Sequence, residues 1–250
     1  MIIIKNKEQI EGIKKACILA KECLFELEKK LFIGQNTEKI NSIAHKFMTK
    51  NKGIPATLNY NGFPKSLCTS INHVVCHGIP SKKDVLKNGD IINLDVTVIL
   101  NGYFGDTSKT FIIGEVSEDV KLFVERAERA MYKGIKMLKP GILLSQMGKT
   151  IESYALKFGY SVVKDYGGHG TGLSFHEDPH VCNFYSRTNN ILLKEGMIFT
   201  VEPMINKSKN YQVETSTIDN WTVTTKDKSL SAQFEHTVLI TRDSHEILTI

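Results

Sequence analysis

The chain has 250 residues, 41% apolar and 24% charged, with 32 basic against 27 acidic side chains for a net charge of +5. This is enough apolar chain for a packed core, and the basic excess is too mild and scattered for a dedicated nucleic-acid binder. No apolar run reaches membrane-spanning length, and the N-terminal MIIIKNKEQI reads as neither signal peptide nor anchor, so no membrane partner is expected. Five cysteines, Cys17, Cys23, Cys68, Cys76 and Cys182, form no CxxC pair, which points to the reducing cytoplasm. Cys17 and Cys23 read as small buried hydrophobes.

Taken in order, Lys7–Leu31 has a helical stripe of Ile10, Ile13, Cys17, Ala20, Leu24 and Leu27. Thr37 is placed to cap a second helix reaching about Lys50, with Ile40, Ile43, Ala44 and Phe47 inward. Strand and loop follow from Gly53 to Ile79, then a connector, Pro80–Asn88. Gly89–Gly114 reads as two strands around an Asn101-Gly102 turn, a dipeptide that tolerates the positive φ of a tight hairpin. Ser117 caps a long helix to Leu138, stopped by Lys139-Pro140-Gly141, and Ser145–Gly159 is another helix. Strands and Gly-rich loops continue to Ile250.

The hairpin carries Asp95 and Asp106. With Asn101 and Gly102 at the centre of the turn, Leu100 faces Tyr103 and Thr97 faces Asp106. Asp95 shares the face of Thr97, because strand side chains alternate. The two aspartates are therefore diagonal neighbours, roughly 7–8 Å apart or less at Cβ, a gap that lets both reach a common pair of metal ions. Asp95 also interrupts the apolar run IINLDVTVIL, where an unpaired carboxylate would be costly. Glu202 in GMIFTVEPMI and Glu235 in SAQFEHTVLI repeat this pattern of an acid inside an apolar strand. GGHGTGLSFHEDPH adds His169, His176 and His180, in what the glycines and aromatics mark as a shaped loop. His180, His45, His73 and His245 read as ordinary core or surface histidines. Oxygen-rich ligands with one imidazole suit Mn²⁺, Fe²⁺, Co²⁺ or Zn²⁺ in a two-metal site.

An internal repeat ties the halves together. Leu86-Lys87-Asn88-Gly89-x-Ile91-x-x-Leu94-Asp95 matches Leu193-Lys194-Glu195-Gly196-x-Ile198-x-x-Val201-Glu202 at an offset of 107, and the same offset carries Gly34 onto Gly141. The expectation is one domain over 1–250, of two similar lobes at roughly 1–115 and 116–250, with the site on the seam.

The order Asp95, Asp106, His169, Glu202, Glu235, with the flanks NYNGFPKSLCTSIN, VVCHGIP, GHGTG, FHEDP, FTVEPM and DNWTVTTKDKSLSAQFEHT, resembles the methionine aminopeptidases of the short bacterial (type 1) class, peptidase family M24. The resemblance covers essentially the whole chain. It implies the pita-bread (creatinase/aminopeptidase) α/β fold, two pseudo-symmetric lobes of antiparallel sheet covered by helices. It implies removal of the initiator methionine from nascent polypeptides when the second residue is small and uncharged, by a cytoplasmic monomer with transient ribosome contact. It implies two divalent ions. Asp95 would hold one and His169 the other, Asp106 and Glu235 would bridge them, and Glu202 would complete the His169 site. Glu202 would also be the proton acceptor, with His176 stabilising the tetrahedral oxygen and His77 holding the scissile amide. Tyr60, Phe63, Cys68, His77, Phe175, His176 and Trp221 would contact substrate, most of them around the methionine side chain. A monovalent cation, Na⁺ or K⁺, would sit near the backbone of Asn72, Val74 and Ser231. Family members often have Cys at Thr57, His at Asn61, Glu at His73, Cys at Gly167 and Arg at Leu173. None of these departures removes a ligand. Xaa-Pro peptidases share the ligand set but usually carry a further N-terminal domain. Non-enzymatic proteins of this fold, acting as RNA or ribosome binders, typically lose ligands.

Overall fold

The computed structural model describes residues 1–250. Four helices, α1 (Lys7–Glu28), α2 (Thr37–Lys50), α3 (Glu118–Ile135) and α4 (Leu144–Leu156), lie against antiparallel sheets. In chain order the strands are β1 (Ile54–Pro55), β2 (Cys68–Ile71), β3 (Val74–Cys76), β4 (Ile91–Leu100), β5 (Tyr103–Ile112), β6 (Ser161–Val162), β7 (Gly168–Gly170) and β8 (Glu177–Val181). They continue with β9 (Ile198–Val201), β10 (Met204–Asn206), β11 (Val213–Thr215), β12 (Val223–Thr225), β13 (Ser231–Gln233), β14 (His236–Ile240) and β15 (His245–Ile247). In the first sheet β4 is central, with β5 on one edge and β1 and β2 on the other. The second large sheet runs β15-β14-β9-β7-β8.

The hairpin forms in the expected register: Leu100 pairs with Tyr103 and Thr97 with Asp106, and Asn101 and Gly102 take φ of 51° and 84°. No bulge interrupts it, so Asp95 and Asp106 share one face. Helix α1 crosses the other face at Gly105, where an added Cβ would lie 2.3 Å from the Ala16 carbonyl carbon and the Cys17 nitrogen. Only a residue without a side chain lets the helix backbone rest there, immediately beside Asp106.

Each half builds its own core. In the first, Leu19, Cys23, Leu27, Ile40, Ala44 and Met48 from α1 and α2 pack on Ile92, Leu94, Val96 and Val98 of β4. In the second, Phe123, Met131, Leu144, Met147 and Ile151 from α3 and α4 pack on Phe199, Val201, Val238 and Ile240. The helix-to-helix connections of the two halves match hydrogen bond for hydrogen bond. Gly34 N–H donates to Leu86 O at 2.8 Å and Gly141 N–H to Leu193 O at 2.9 Å, while Leu86 donates to Gln35 and Leu193 to Ile142. Bridges Asn36–Val85 and Leu143–Leu192 repeat the same displacement of 107 positions.

Helix ends differ from the sequence reading in detail. Asn36, not Thr37, caps α2: its Oδ1 accepts the Lys39 N–H at 2.9 Å, while the Thr37 hydroxyl donates to Ser81 O and accepts the Ser81 N–H, pinning the connector to the helix. Helix α1 stops at Glu28 because Lys30 and Leu31 turn into tighter three-residue bonds to Leu27 and Glu28. Ser117 caps α3 as expected, accepting from Val120, although the helix ends at Ile135. His169 is on a strand rather than a loop. The flanking glycines serve close strand approach, since a Cβ at Gly168 would meet Thr200 O at 2.4 Å and one at Gly170 would meet Asp178 O at 2.2 Å.

Candidate metal centre and substrate cavity

Strands β4 and β5 from the first half, and β7, the residue just past β9 and the segment before β14 from the second, aim acids and one imidazole at a single point on the seam. Ligand atoms of Asp95, Asp106 and Glu235 lie within 4.8 Å of one another. His169 Nε2 is 3.6 Å from Asp106 Oδ2 and 3.7 Å from Glu202 Oε1. Asp106, Glu202 and Glu235 are buried, and Asp95 keeps some surface open to the cavity.

No lysine or arginine pairs with any of the four carboxylates, so burial dominates their protonation. Asp95 is pushed up from 3.8 to about 7 by loss of water. Asp106, Glu202 and Glu235 are pushed well above the carboxylate range, by burial first and by the neighbouring acids as well. Neutral hydroxyls and an amide orient them: Thr97 donates to Asp106 at 2.8 Å, Thr200 to Glu202 at 2.5 Å, and Gln233 Nε2 to Glu202 at 3.2 Å. Burial drops His169 to about 3, so its contacts with the carboxylates are not ion pairs. Its Nδ1 faces the Gly170 carbonyl at 3.0 Å and so carries the proton, which leaves the Nε2 lone pair directed at the acids. Four carboxylates without a protein cation, with an imidazole presenting a free lone pair, fit a divalent metal centre.

The centre opens into a cavity of about 400 Å³. Every residue expected in the site lines it: the five candidate ligands, and Tyr60, Phe63, Cys68, His77, Phe175, His176 and Trp221. Cys68 is the direct cross-strand partner of Asp95, which puts its sulfur beside the acids. Phe63 meets Trp221 edge-on at 5.2 Å, His77 meets Trp221 at 6.0 Å, and Tyr60 meets Phe175 at 4.6 Å. Burial holds His77 at about 4, assisted by His176. His176, near the opening, is also lowered by burial, and its Nδ1 is 2.8 Å from the Tyr60 hydroxyl. Thr57, Asn61 and Gly167, three of the departures, line the cavity as well.

The cavity also contains residues that sequence reading passed over. His180, read as ordinary, is the cross-strand partner of His169 and lines the cavity; the two-residue alternation of an unrecognised strand hid this. Tyr166, edge-on to His77 at 5.5 Å, and Met204, two residues past Glu202 in FTVEPM, were legible only as aromatic and apolar flanks. By contrast His45, bonded to Ser66, and His245, bonded to Leu138 O, have the ordinary roles expected.

A family model described as metallopeptidase family M24 matches residues 11–242. The chain belongs to metallopeptidase family M24. Within it the similarity is to methionine aminopeptidases. The crystal structure of the Rickettsia prowazekii methionine aminopeptidase is 50% identical, covers 100% of both chains and superposes with a TM-score of 0.97. The Escherichia coli (strain K12) methionine aminopeptidase is 44% identical over 250 residues, covering 100% of this chain and 94% of that protein. The Thermotoga maritima methionine aminopeptidase is 36% identical with a TM-score of 0.96, covering 100% and 99% of the two chains. The architecture is accordingly the pita-bread fold. The protein is an enzyme of a metallo-aminopeptidase family, whose chemistry uses a divalent metal.

Proposed function

We propose that this protein hydrolytically removes the initiator methionine from nascent polypeptides whose second residue is small and uncharged, using two divalent ions. The observation that carries the reading is a slot of aromatic rings and sulfur, Phe63, Trp221, Tyr60, Phe175 and Cys68, opening directly onto the acid cluster in one cavity. Such surfaces suit a thioether side chain. Five buried, unbridged cysteines support a reducing, cytoplasmic setting. We propose that the enzyme acts there as a monomer.

Asp95, Asp106, Glu235, His169 and Glu202 would hold the ions. Bound there, divalent cations supply Lewis-acid polarisation of the scissile carbonyl and lower the pKa of ligated water. Glu202, held by Thr200 and Gln233, is the proton acceptor for the attacking water and returns a proton to the leaving amine. His176 is neutral, and with Tyr60 engaging Nδ1 its Nε2 is free to donate to the oxygen that becomes negative. His77, also neutral and backed by Tyr166 and Trp221, contacts the scissile amide. The aromatic walls exclude water from the side-chain slot.

The test is kcat/KM for Met-X-Ser peptides with X = Ala, Val, Leu and Lys, with and without chelator. Ala is expected to be far the best, and chelation to abolish turnover until Mn²⁺, Fe²⁺ or Co²⁺ is restored. Equal values for Ala and Lys refute the restriction on the second residue. Preference for X-Pro substrates over Met-Ala places the chain with Xaa-Pro peptidases. Undiminished activity in metal-free protein refutes the metal chemistry.

A further inference from the structure

Glu177 follows His176 directly and begins β8. Its carboxylate turns back into the loop that precedes it. Oε1 accepts the Leu173 N–H at 2.7 Å and the Ser174 N–H at 3.1 Å, and Oε2 is bonded to the ammonium of Lys5. The two side chains are 1% and 4% exposed, which makes this a buried ion pair between segments 172 positions apart. Lys5 is itself fixed: its backbone N–H donates to Gly196 O at 2.9 Å and its ammonium also reaches Ile3 O at 3.4 Å. Within the loop, Thr171 donates to Phe175 O at 3.0 Å and Ser174 to His176 O at 3.1 Å. The Glu177 carboxylate thus closes a ring from Leu173 to Glu177 with Phe175 and His176 inside it.

We propose that the Lys5–Glu177 pair is a positioning device for the catalytic loop: it fixes the backbone from Leu173 to Glu177 so that the His176 imidazole faces the acid cluster. Without Lys5 the carboxylate is a buried charge with only two N–H donors, and it must either take up a proton or draw in water. Either response weakens its grip on Leu173 and Ser174. Small displacements of a group that must meet the reacting oxygen are costly in rate. The proposal rests on the role given to His176 above. Neither Lys5 nor Glu177 lines the cavity, so both act through the loop.

The experiment compares wild type, Lys5→Met, Lys5→Arg, His176→Ala and the double variant Lys5→Met/His176→Ala on Met-Ala-Ser. Mn²⁺ affinity is measured by calorimetry, and folding by urea denaturation. Lys5→Met is expected to lower kcat roughly ten- to hundredfold while KM and Mn²⁺ affinity stay within about twofold. Lys5→Arg, which keeps the charge, should recover most of the rate. In the His176→Ala background the Lys5→Met change should cost nothing further, because the two act through one group. An unchanged kcat in Lys5→Met, or an equal loss with and without His176, overturns the proposal. If Lys5→Met does not fold, Glu177→Gln enters the same cycle with the same two outcomes, since it keeps the shape of the side chain and removes the ion pair. A wild-type enzyme that fails to cleave Met-Ala-Ser refutes the function proposed above and leaves this inference to be read by imidazole NMR. There Lys5→Met should move the His176 signals and leave those of His236 in place, and unmoved His176 signals overturn it.

Discussion

Metal binding should expel protons, and the number should fall as pH rises. Asp95 is raised from 3.8 to about 7 by burial, and Asp106, Glu202 and Glu235 are raised well above the carboxylate range as well. At about pH 6 the metal-free Asp95 carboxyl is roughly nine-tenths protonated, while a metal accepts only the carboxylate, so Asp95 alone contributes close to one proton. Calorimetric titration of chelator-stripped protein with Mn²⁺, in two buffers of different ionisation enthalpy, counts the protons directly. Asp95→Asn should release about one fewer at pH 6. Heats independent of buffer at pH 6, or a proton count that grows toward pH 8, would refute the reasoning. The same shift has a stability consequence. Between about pH 4 and 7 the folded Asp95 keeps a proton that the unfolded chain has lost, so the native state binds more protons and metal-free stability falls as pH rises through that window. The distance from 3.8 to about 7 corresponds to roughly 4 kcal/mol. His77, His169 and His236, all lowered by burial, push the other way between their folded values of about 3 to 4 and the ordinary 6.5. The readout is therefore the difference between wild type and Asp95→Asn in metal-free urea titrations. The wild type should lose ground to the variant as pH rises from 4 to 7.

His176→Ala should lower kcat by roughly 10²–10³ with Mn²⁺ affinity unchanged, and metal content falling in step with activity would instead make His176 a ligand. Tyr60→Phe removes the 2.8 Å bond to His176 Nδ1 and should lower kcat about two- to tenfold, measured by single-turnover kinetics on Met-Ala-Ser. Gly105→Ala should destabilise the fold by about 1–3 kcal/mol or more in urea and weaken Mn²⁺ binding, because the added carbon forces α1 off the strand beside Asp106. N-terminal norleucine should be cleaved at a rate near that of methionine and N-terminal valine poorly, since one methylene in an apolar slot is worth only about 1–3 kcal/mol.

Local chemistry in the sequence determined a good deal. The Asn101-Gly102 turn set the register of β4 and β5, and strand alternation then put Asp95 and Asp106 on one face without knowledge of the rest of the chain. The 107-residue repeat reappears in the structure as matching backbone bonds from each helix-to-helix connection to the segment leading into a strand, Gly34 to Leu86 and Gly141 to Leu193. Acids interrupting apolar runs marked Glu202 and Glu235, since a buried carboxylate is tolerated only for a reason, although both fall not inside strands but in the breaks after β9 and before β14. Tertiary structure alone decided how these pieces meet. That Cys68 stands beside Asp95, and that His180 rather than a distant histidine accompanies His169, depends on pairings in which β2, β7 and β8 are strands of only three to five residues. Strands this short carry little periodicity, and close approach at Gly168 and Gly170 decides how β7 lies against its neighbours. The Lys5–Glu177 pair, two charges 172 positions apart, becomes visible only when the N-terminal segment closes over the His176 loop and buries both.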